Sequence, residues 1–135
     1  MDTRKRYILL VEDSPEDVVL IVRALKQVAP DCETIVVGDA GHAMELLHSG
    51  EVMRGGPPVL ALVDIGLPRV GGFELVEQLR ADHTTQDLPV FILSSSDHPL
   101  DKSLGLKVGV DGYILKPVSF NELVASFESL GSYLW

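Results

Sequence analysis

The segment Tyr7-Ile-Leu-Leu-Val-Glu-Asp-Ser-Pro-Glu-Asp17 joins a short apolar run to an acidic turn and then to the start of a helix. The run does not alternate with polar residues, which is typical of a parallel strand that is covered on both faces. Ser14 can cap the helix that follows, Pro15 suits its first position, and acidic residues favour its first turn. A buried strand followed at once by a helix predicts an α/β fold with a parallel sheet.

Four further apolar runs of the same kind lie along the rest of the chain, at 34–37, 59–63, 90–93 and 113–115. Between them, apolar residues recur every three or four positions, as in helices that bury one face. The alternation predicts a doubly wound five-stranded parallel sheet with five helices, in three layers α/β/α. The fourth helix, over 101–108, should be short or mobile because it contains Gly105.

The composition is that of an ordinary globular domain. The chain has 135 residues, of which 46% are hydrophobic and 23% charged, and this length predicts one domain over 1–135 with no output domain. Eleven Lys and Arg against twenty Asp and Glu give a net charge of −9. Because nucleic acids and anionic membranes repel such a surface, we expect neither as a partner.

The cysteine and histidine content and the hydropathy exclude several further kinds of site and protein. Cys32 is the single cysteine, which excludes an internal disulfide and a thiolate metal site. The four histidines lack the close spacing of metal ligands. The longest apolar runs have about five residues, whereas a membrane span needs about twenty. We therefore expect a reduced, cytoplasmic protein.

Polar residues follow four of the predicted strands at the point where each strand ends. They are Glu12, Asp13, Asp64, Ser94 and Lys116. In an open α/β sheet, ligands bind beyond the carboxyl ends of the strands. Each residue taken alone is an ordinary loop or turn residue, but their coincidence at one sheet edge predicts a functional site.

The side chains at this edge favour phosphoryl chemistry. Glu12, Asp13 and Asp64 concentrate negative charge that a cation must balance, and their oxygen atoms suit Mg²⁺. Such an ion would clamp a phosphoryl oxygen while Asp64 attacks phosphorus and becomes an aspartyl phosphate. Lys116 would pair with a second phosphoryl oxygen, and the Ser94 hydroxyl would donate a hydrogen bond to a third.

Four segments, taken in order, make the chain resemble the response regulator receiver family of two-component signalling. They are Glu12-Asp13, Asp64-Ile-Gly-Leu-Pro-Arg-Val-Gly-Gly72, Leu88-Pro-Val-Phe-Ile-Leu-Ser94 and Gly112-Tyr-Ile-Leu-Lys-Pro117. Each is a weak pattern alone, but four at these spacings are specific. The resemblance covers nearly the whole chain, from Tyr7 to about Leu130. It implies a flavodoxin-like fold with strand order 2-1-3-4-5.

The resemblance implies a role for each acidic residue at the site. Asp64 would be the phospho-acceptor, supplied by the phosphohistidine of a sensor kinase. Asp13 and Asp64 would bind Mg²⁺ directly, the Gly66 carbonyl would be a third protein ligand, and Glu12 would act through water.

The resemblance also implies a switch. Ser94 would be the switch hydroxyl that the phosphoryl group draws inward, and Tyr113 would be the aromatic residue that rotates with it. Lys116 would contact the phosphoryl group, and its peptide bond to Pro117 would be cis. The signal would leave as a population shift through the surface of the fourth helix, fifth strand and fifth helix.

Two positions depart from the family pattern. Ser95 follows the predicted switch serine where receivers usually have a smaller residue, so access to the phosphoryl group should be narrower. Gly66 offers no side chain to position an attacking water, which leaves the lifetime of the phosphorylated state open.

The expected partners are proteins. A sensor histidine kinase should be the phosphodonor, and the opening Glu12-Asp-Ser-Pro-Glu-Asp17 and the aromatic C-terminal end favour the subgroup paired with bacterial phytochromes. A last helix over 119–134 carries a heptad-like stripe of Leu123, Phe127, Leu130 and Leu134. Tyr133, Leu134 and Trp135 should lie beyond the core. We therefore predict a homodimer through the C-terminal region formed by the fourth helix, fifth strand and fifth helix.

Other functions stay open at this level. A Mg²⁺-dependent phosphohydrolase would need a second acid two residues after Asp64, where Gly66 stands. A flavin carrier would need a phosphate-binding loop after the first strand, but that loop is acidic. A receiver-like interaction module that is never phosphorylated, a phosphate sink and a relay intermediate are further alternatives. The favoured interpretation is a signalling protein that catalyses only its own phosphotransfer and dephosphorylation.

Overall fold

The computed structural model describes residues 6–48, 56–67, 69–95, 99–116 and 119–134. Within these residues the chain forms five strands and six helices. In chain order they are β1 (Arg6–Val11), α1 (Pro15–Val28), β2 (Cys32–Val37), α2 (Ala40–Leu47), β3 (Leu60–Asp64), α3 (Gly72–Ala81), β4 (Val90–Ser94), α4 (Pro99–Val108), β5 (Gly112–Leu115), α5 (Phe120–Glu128) and α6 (Gly131–Leu134). None of the helices described is long and apolar enough to cross a membrane.

The five strands form one parallel sheet in the order β2-β1-β3-β4-β5, so the predicted flavodoxin-like fold is confirmed. The first strand lies inside the sheet, β2 pairs with it at one edge, and the chain then crosses to the other side of β1 with β3. The order therefore reverses at β1 and β3. In folds of this class, the crevice beyond the strand ends at that reversal is where ligands bind.

The core has two halves, one on each face of the sheet, because neighbouring residues of a strand point to opposite faces. On one face, strand residues such as Ile8, Leu62 and Leu93 pack against α1, α5 and α6. On the other face, residues such as Leu9 and Val63 pack against α2 and α3. From Tyr7 onward, every residue of β1, β3 and β4 is buried.

The edge strands differ from the expectation that all five strands are covered on both faces. Val36 of β2 is 41% exposed and Leu115 of β5 is 43% exposed. An edge strand has a neighbour on one side, and the flanking helices of this chain leave part of β2 and β5 in solvent. An apolar run therefore predicts a strand without fixing its place in the sheet.

The predicted helix over 119–134 is wrong, because two helices occupy it, α5 and α6. The break lies at Ser129 and Leu130, where the N–H of Leu130 donates to the Phe127 carbonyl at 3.0 Å. The Tyr133 N–H likewise donates to the Leu130 carbonyl at 2.9 Å. These bonds span three residues instead of four, which tightens the turn and ends the regular helix.

The fourth helix forms over Pro99–Val108 despite its internal glycine. Gly105 is buried, and a Cβ there would lie 3.5 Å from the Phe73 ring of α3 and 3.9 Å from the Tyr113 ring of β5. These two are ordinary contacts, whereas a Cβ would lie only 3.3 Å from Val110 Cγ2, so the glycine relieves a tight contact at the end of α4.

Candidate functional site

The residues predicted from strand ends lie together at one edge of the sheet. Asp64 is the last residue of β3 and pairs in register with Leu93, and Ser94 is the last residue of β4. Lys116 follows β5, and its N–H donates to the Ser94 carbonyl at 2.6 Å. Glu12 follows β1, and its N–H extends the β1–β2 ladder by donating to β2. Parallel strands in this register therefore bring the polar residues to the same level.

Lys116 lies at the centre of the site, with its side chain 19% exposed. Among the described residues, its Nζ contacts three carboxylate oxygens: Glu12 Oε2 at 2.8 Å, Asp17 Oδ2 at 2.8 Å and Asp64 Oδ1 at 3.0 Å. The ammonium donates a hydrogen bond to Asp17, whereas Glu12 Oε2 is buried without a hydrogen-bond partner among the described residues, so its contact with Lys116 is an ion pair. Burial alone lowers the pKa of Lys116, but its interactions with Asp17, Glu12 and Asp64 outweigh burial and raise that pKa. Lys116 is therefore a permanent cation here.

Glu12 is the most buried carboxylate of the group, at 2% exposed. Its Oε1 accepts a hydrogen bond from the Ser14 N–H at 3.2 Å. Burial raises the pKa of Glu12, the negative charge of Asp64 adds to that effect, and Lys116 opposes it. The charged form of Glu12 consequently gains from any further cation that reaches this pocket.

Three carboxylates form a cluster suited to a cation. Glu12, Asp13 and Asp64 each place a carboxylate oxygen within 4.8 Å of the others. Asp13 is exposed, whereas Glu12 and Asp64 are buried. Their formal charge exceeds the single positive charge of Lys116, and oxygen donors prefer hard divalent ions. The donor set thus fits the predicted Mg²⁺.

Gly66 lies beside the predicted acceptor. A Cβ added at Gly66 would lie 3.6 Å from Asp64 Oδ2, so even a small side chain here would contact the carboxylate. Its glycine leaves that side of Asp64 open, and the predicted role of the Gly66 carbonyl as a ligand stays a prediction.

Gly72 fixes the turn between β3 and α3. A Cβ at this position would overlap the Asp64 carbonyl oxygen and would lie 3.0 Å from the Ile65 Cα. The Gly72 N–H donates to the Ile65 carbonyl at 3.3 Å. In the sequence analysis this glycine ends one of the segments that resemble the family, but its close contact with the backbone of Asp64 emerged from the structure.

The predicted switch residues lie on neighbouring strands. Ser94 is 1% exposed at the end of β4. Tyr113 pairs in register with Ile92 of β4, and both belong to the core between the sheet and α3. Because side chains alternate along a strand, Ser94 and Ile92 share a face, and Tyr113 lies on that same face. The predicted cis bond at Pro117 lies outside the described residues.

Asp17 is a site residue that the sequence analysis missed. It was assigned only to the first turn of α1, where its N–H donates to the Ser14 Oγ at 3.4 Å. The structure also brings its carboxylate to Lys116. The available signal was that Asp17 is an acid in the first turn of the helix that follows the acidic end of β1. Because Asp17 and Lys116 are 99 residues apart, no local sequence pattern reveals their contact.

The C-terminal residues are not all beyond the core, which corrects the expectation for Leu134. Leu134 is 1% exposed and packs in the core on the α1 and α5 side. Tyr133 contacts the Phe91 ring edge-on, with centroids 5.1 Å apart. The tight turn before α6 folds the chain back onto the sheet, and this covers both side chains. Trp135 lies outside the described residues.

Comparison with known proteins identifies the family that the sequence resembles. The response regulator receiver domain family matches residues 8–128. The DNA-binding response regulator MtrA of Mycolicibacterium smegmatis is 34% identical over 125 residues, which cover 93% of this chain and 50% of MtrA. The chain thus spans about half the length of the curated relatives that it matches first.

Solved structures match over most of their length. The Mn²⁺-bound form of response regulator Rcp1 is 30% identical with a TM-score of 0.81, and the match covers 96% of this chain and 94% of Rcp1. The phosphorylated cyanobacterial phytochrome response regulator RcpA is 30% identical with a TM-score of 0.83, covering 96% and 93%. The bacteriophytochrome response regulator RtBRR is 36% identical with a TM-score of 0.77, covering 93% and 78%.

Proposed function

The chain belongs to the response regulator receiver family, and on this premise we propose that it is a response regulator receiver phosphorylated on Asp64 by a sensor histidine kinase. The observation that carries the proposal is the grouping of Asp64 with the half-buried ammonium of Lys116 and an acidic cluster at the sheet edge. A nucleophilic carboxylate, oxygen ligands for a cation and a lysine that balances charge are the groups that phosphoryl transfer to an aspartate requires, and their closeness here supports the proposal.

Asp64 acts as the nucleophile. A carboxylate oxygen attacks the phosphorus of the phosphohistidine, a P–O bond forms and the P–N bond breaks. The electron pair of the P–N bond stays on the departing nitrogen, and the ring leaves as neutral imidazole with its proton on the other ring nitrogen. The product is an aspartyl phosphate. Asp64 is only 7% exposed, so its attack requires the donor to enter the crevice above the strand ends.

Asp13 and Asp64 would hold Mg²⁺, with the Gly66 carbonyl as a third ligand and Glu12 acting through water. When bound, the ion neutralises charge on the carboxylates and on a phosphoryl oxygen. The Mn²⁺-bound neighbour Rcp1 supports a divalent ion in this fold. Burial raises the pKa of Glu12 because it disfavours the charged carboxylate. A cation close to Glu12 would offset this cost.

Lys116 and Ser94 stabilise the charge that develops on the phosphoryl oxygens. Lys116 already lies 3.0 Å from Asp64 Oδ1, so a small shift brings its ammonium to a phosphoryl oxygen. Ser94 would donate its hydroxyl to another oxygen. Together with the metal site, these two side chains give each equatorial oxygen a partner.

The phosphorylated state signals through the face formed by α4, β5 and α5. Movement of Ser94 toward the phosphoryl group opens space for Tyr113 to rotate from its half-buried position. The exposed apolar residues of this face supply a contact surface: Leu106 is 75% exposed, Leu104 46% and Leu115 43%.

We place a phytochrome-type sensor histidine kinase upstream of this protein, in the cytoplasm. The support is the similarity to the phytochrome response regulator RcpA and the bacteriophytochrome response regulator RtBRR. The net charge of −9 disfavours direct binding to nucleic acid or an anionic membrane.

The same α4-β5-α5 face is the proposed homodimer interface. Leu104, Leu106 and Leu115 support it, and the burial of Leu134 removes one of the residues first assigned to it. Sedimentation analysis should detect a dimer at micromolar concentration. A monomer both with and without phosphorylation would contradict the dimer and leave the phosphoryl chemistry untouched.

Intact mass spectrometry after incubation with acetyl phosphate tests the function. The wild-type protein with Mg²⁺ should gain one phosphoryl group, while Asp64→Asn protein and a sample with chelator should gain none. Folded wild-type protein that gains no mass would favour the alternative, an interaction module that is never phosphorylated. Whether the phosphoryl group serves output, a phosphate sink or a relay is then decided by the fate of that group when the kinase is present.

A further inference from the structure

Asp17 contacts the site lysine from a position outside the carboxylate cluster. Its Oδ2 lies 2.8 Å from Lys116 Nζ, as close as Glu12 Oε2. The cluster of carboxylates that could hold a cation contains Glu12, Asp13 and Asp64 but not Asp17. Among the described residues, Asp17 therefore serves the lysine and not the metal.

We propose that Asp17 is a positioning residue for Lys116. This inference rests on the proposed phosphorylation of Asp64. Asp17 attracts part of the ammonium charge toward α1, so that Glu12 and Asp64 are not fully neutralised by the lysine and remain available to a divalent cation. It also holds the ammonium beside Asp64, where the incoming phosphoryl group requires it.

The helix makes this position rigid. Asp17 lies in the first turn of α1, which begins at Pro15 and is capped by Ser14. The apolar side of α1 packs in the same core half as α5. The carboxylate is thus fixed relative to the sheet, whereas the lysine reaches the site on a flexible four-carbon stem.

Phosphoryl transfer changes the partners of Lys116 but not its contact with Asp17. With acetyl phosphate as donor, a bond forms between an Asp64 oxygen and phosphorus, the P–O bond to the acetyl group breaks, and acetate leaves. Asp64 then no longer offers a free carboxylate. Lys116 exchanges that partner for a phosphoryl oxygen, and Asp17 supplies a carboxylate that is present before and after the reaction.

The contact is partly exposed, which limits its effect. The Asp17 side chain is 38% exposed and that of Lys116 19%. Ion pairs with this degree of solvent contact change an equilibrium or a rate by roughly two- to fivefold.

The test compares Asp17→Asn with Glu16→Gln, which removes the same formal charge from an exposed neighbour in the same helical turn. Both substitutions are made in the wild-type chain and in a Lys116→Ala chain. Two quantities are measured: the rate of phosphoryl uptake from acetyl phosphate, and the dissociation constant of Mg²⁺ by calorimetry without any phosphodonor.

In the wild-type chain, Asp17→Asn should slow phosphoryl uptake and weaken Mg²⁺ binding, each by roughly two- to fivefold more than Glu16→Gln. In the Lys116→Ala chain the two substitutions should become equivalent, because the residue through which Asp17 acts is gone. A purely structural role for Asp17 would leave its excess effect in place.

The inference is overturned if Asp17→Asn matches Glu16→Gln in the wild-type chain, or if its excess effect survives without Lys116. Wild-type protein that takes up no phosphoryl group would refute the proposed function, and the Mg²⁺ constants would then decide the inference by themselves. If Lys116→Ala protein does not fold, the comparison in the wild-type chain decides it.

Discussion

At the scale of single residues, the site depends on how closely the chain approaches Asp64. The ammonium group of Lys116 contacts the Asp64 carboxylate, and the bare backbone of Gly72 packs against the Asp64 carbonyl. The ammonium group of Lys116 can move when its partners change, because it is carried on a flexible four-carbon side chain. Gly72 has no such freedom, since its neighbours are the carbonyl of Asp64 and the Cα of Ile65.

Gly72→Ala should therefore destabilise the protein by roughly 1–3 kcal/mol, because the added methyl group forces the β3–α3 turn away from Asp64. Phosphoryl uptake should fall as well, since the acceptor carboxylate shifts with its backbone. Urea unfolding measures the first effect. Gly38→Ala is the control, because nothing lies within 4 Å of a Cβ there. Equal stability of the two variants would show that the turn yields without cost.

Most site residues could be predicted because parallel strands end at one edge. Glu12, Asp64, Ser94 and Lys116 each follow or end a strand, so knowing the strands places them within one region. Asp17 could not be predicted in this way, since its contact depends on how α1 packs over the sheet and on where the Lys116 stem reaches. Side-chain contacts between distant elements are set by tertiary packing and leave no local pattern.

At the scale of elements, Arg80 joins the end of α3 to two loops. Its guanidinium donates to the carbonyls of Gly109 at 2.9 Å, Gln86 at 3.0 Å and Leu88 at 2.7 Å, and to Asp111 Oδ2 at 3.1 Å. The planar fork of arginine allows several directed bonds at once. The base of α4 and the start of β5 are thus held to α3 at the end of the sheet opposite the site.

Arg80→Lys should cost roughly 1–3 kcal/mol of stability, because an ammonium group cannot satisfy carbonyls spread over this width. Chemical denaturation measures the loss. Arg23→Lys is the matched control: Arg23 lies 5.4 Å from the centre of the Phe120 ring, a contact that lysine can keep. A loss no larger than that of Arg23→Lys would mean that the Arg80 bonds are replaceable.

The ends of α2 and α3 are linked by a second polar contact. The Asp82 carboxylate accepts from the Thr84 N–H at 2.9 Å, and its other oxygen lies 2.6 Å from His48 Nε2. The Thr84 N–H and then His48 hold the pKa of Asp82 well below its ordinary value of 3.8. A carboxyl group whose pKa is lowered by folding stabilises the folded state at pH values above its pKa in the unfolded chain. This stabilisation is lost as the pH falls toward the pKa of the folded state.

Wild-type protein should therefore be more stable than Asp82→Asn at neutral pH, and the difference should shrink as the pH falls below 3.8. Thermal unfolding followed across this range measures it. Asp87→Asn, a substitution at an exposed acid of the same loop, is the comparison. A stability difference for Asp82→Asn that is unchanged in acid would exclude a contribution from its ionisation.

The helices and strands show how far sequence patterns predict the fold. Central strands were predicted closely because burial on both faces leaves a continuous apolar run, as in 90–93 against the observed Val90–Ser94. The sequence did not predict the break before α6, because the apolar spacing of Phe127, Leu130 and Leu134 continues across it. That spacing fits a continuous helix and a tightened turn equally well, and only the backbone hydrogen bonds separate the two.

At the scale of the whole molecule, the chain carries an excess of negative charge and an acidic site. The net charge is −9, and three of the twenty acidic residues, Glu12, Asp13 and Asp64, lie in one cluster. A divalent cation bound there stabilises the folded state by mass action, because the unfolded chain has no assembled site.

Mg²⁺ at ten times its dissociation constant should raise the free energy of unfolding by about 1.4 kcal/mol, and excess chelator should reverse the gain. Urea unfolding with and without Mg²⁺ measures this. Asp13→Asn should lose most of the effect, whereas Glu16→Gln, outside the cluster, should keep it. Stabilisation by Mg²⁺ that is equal in both variants would place the ion elsewhere.

The most direct test of phosphorylation on Asp64 is reductive trapping of the acyl phosphate. Protein treated with acetyl phosphate and Mg²⁺ is reduced with borohydride, which converts an aspartyl phosphate to homoserine, and is then mapped by peptide mass spectrometry. Homoserine should occur at position 64 only, and it should be absent when chelator replaces Mg²⁺. Homoserine at another aspartate, or none in folded protein, would contradict the assignment of Asp64 as the phospho-acceptor.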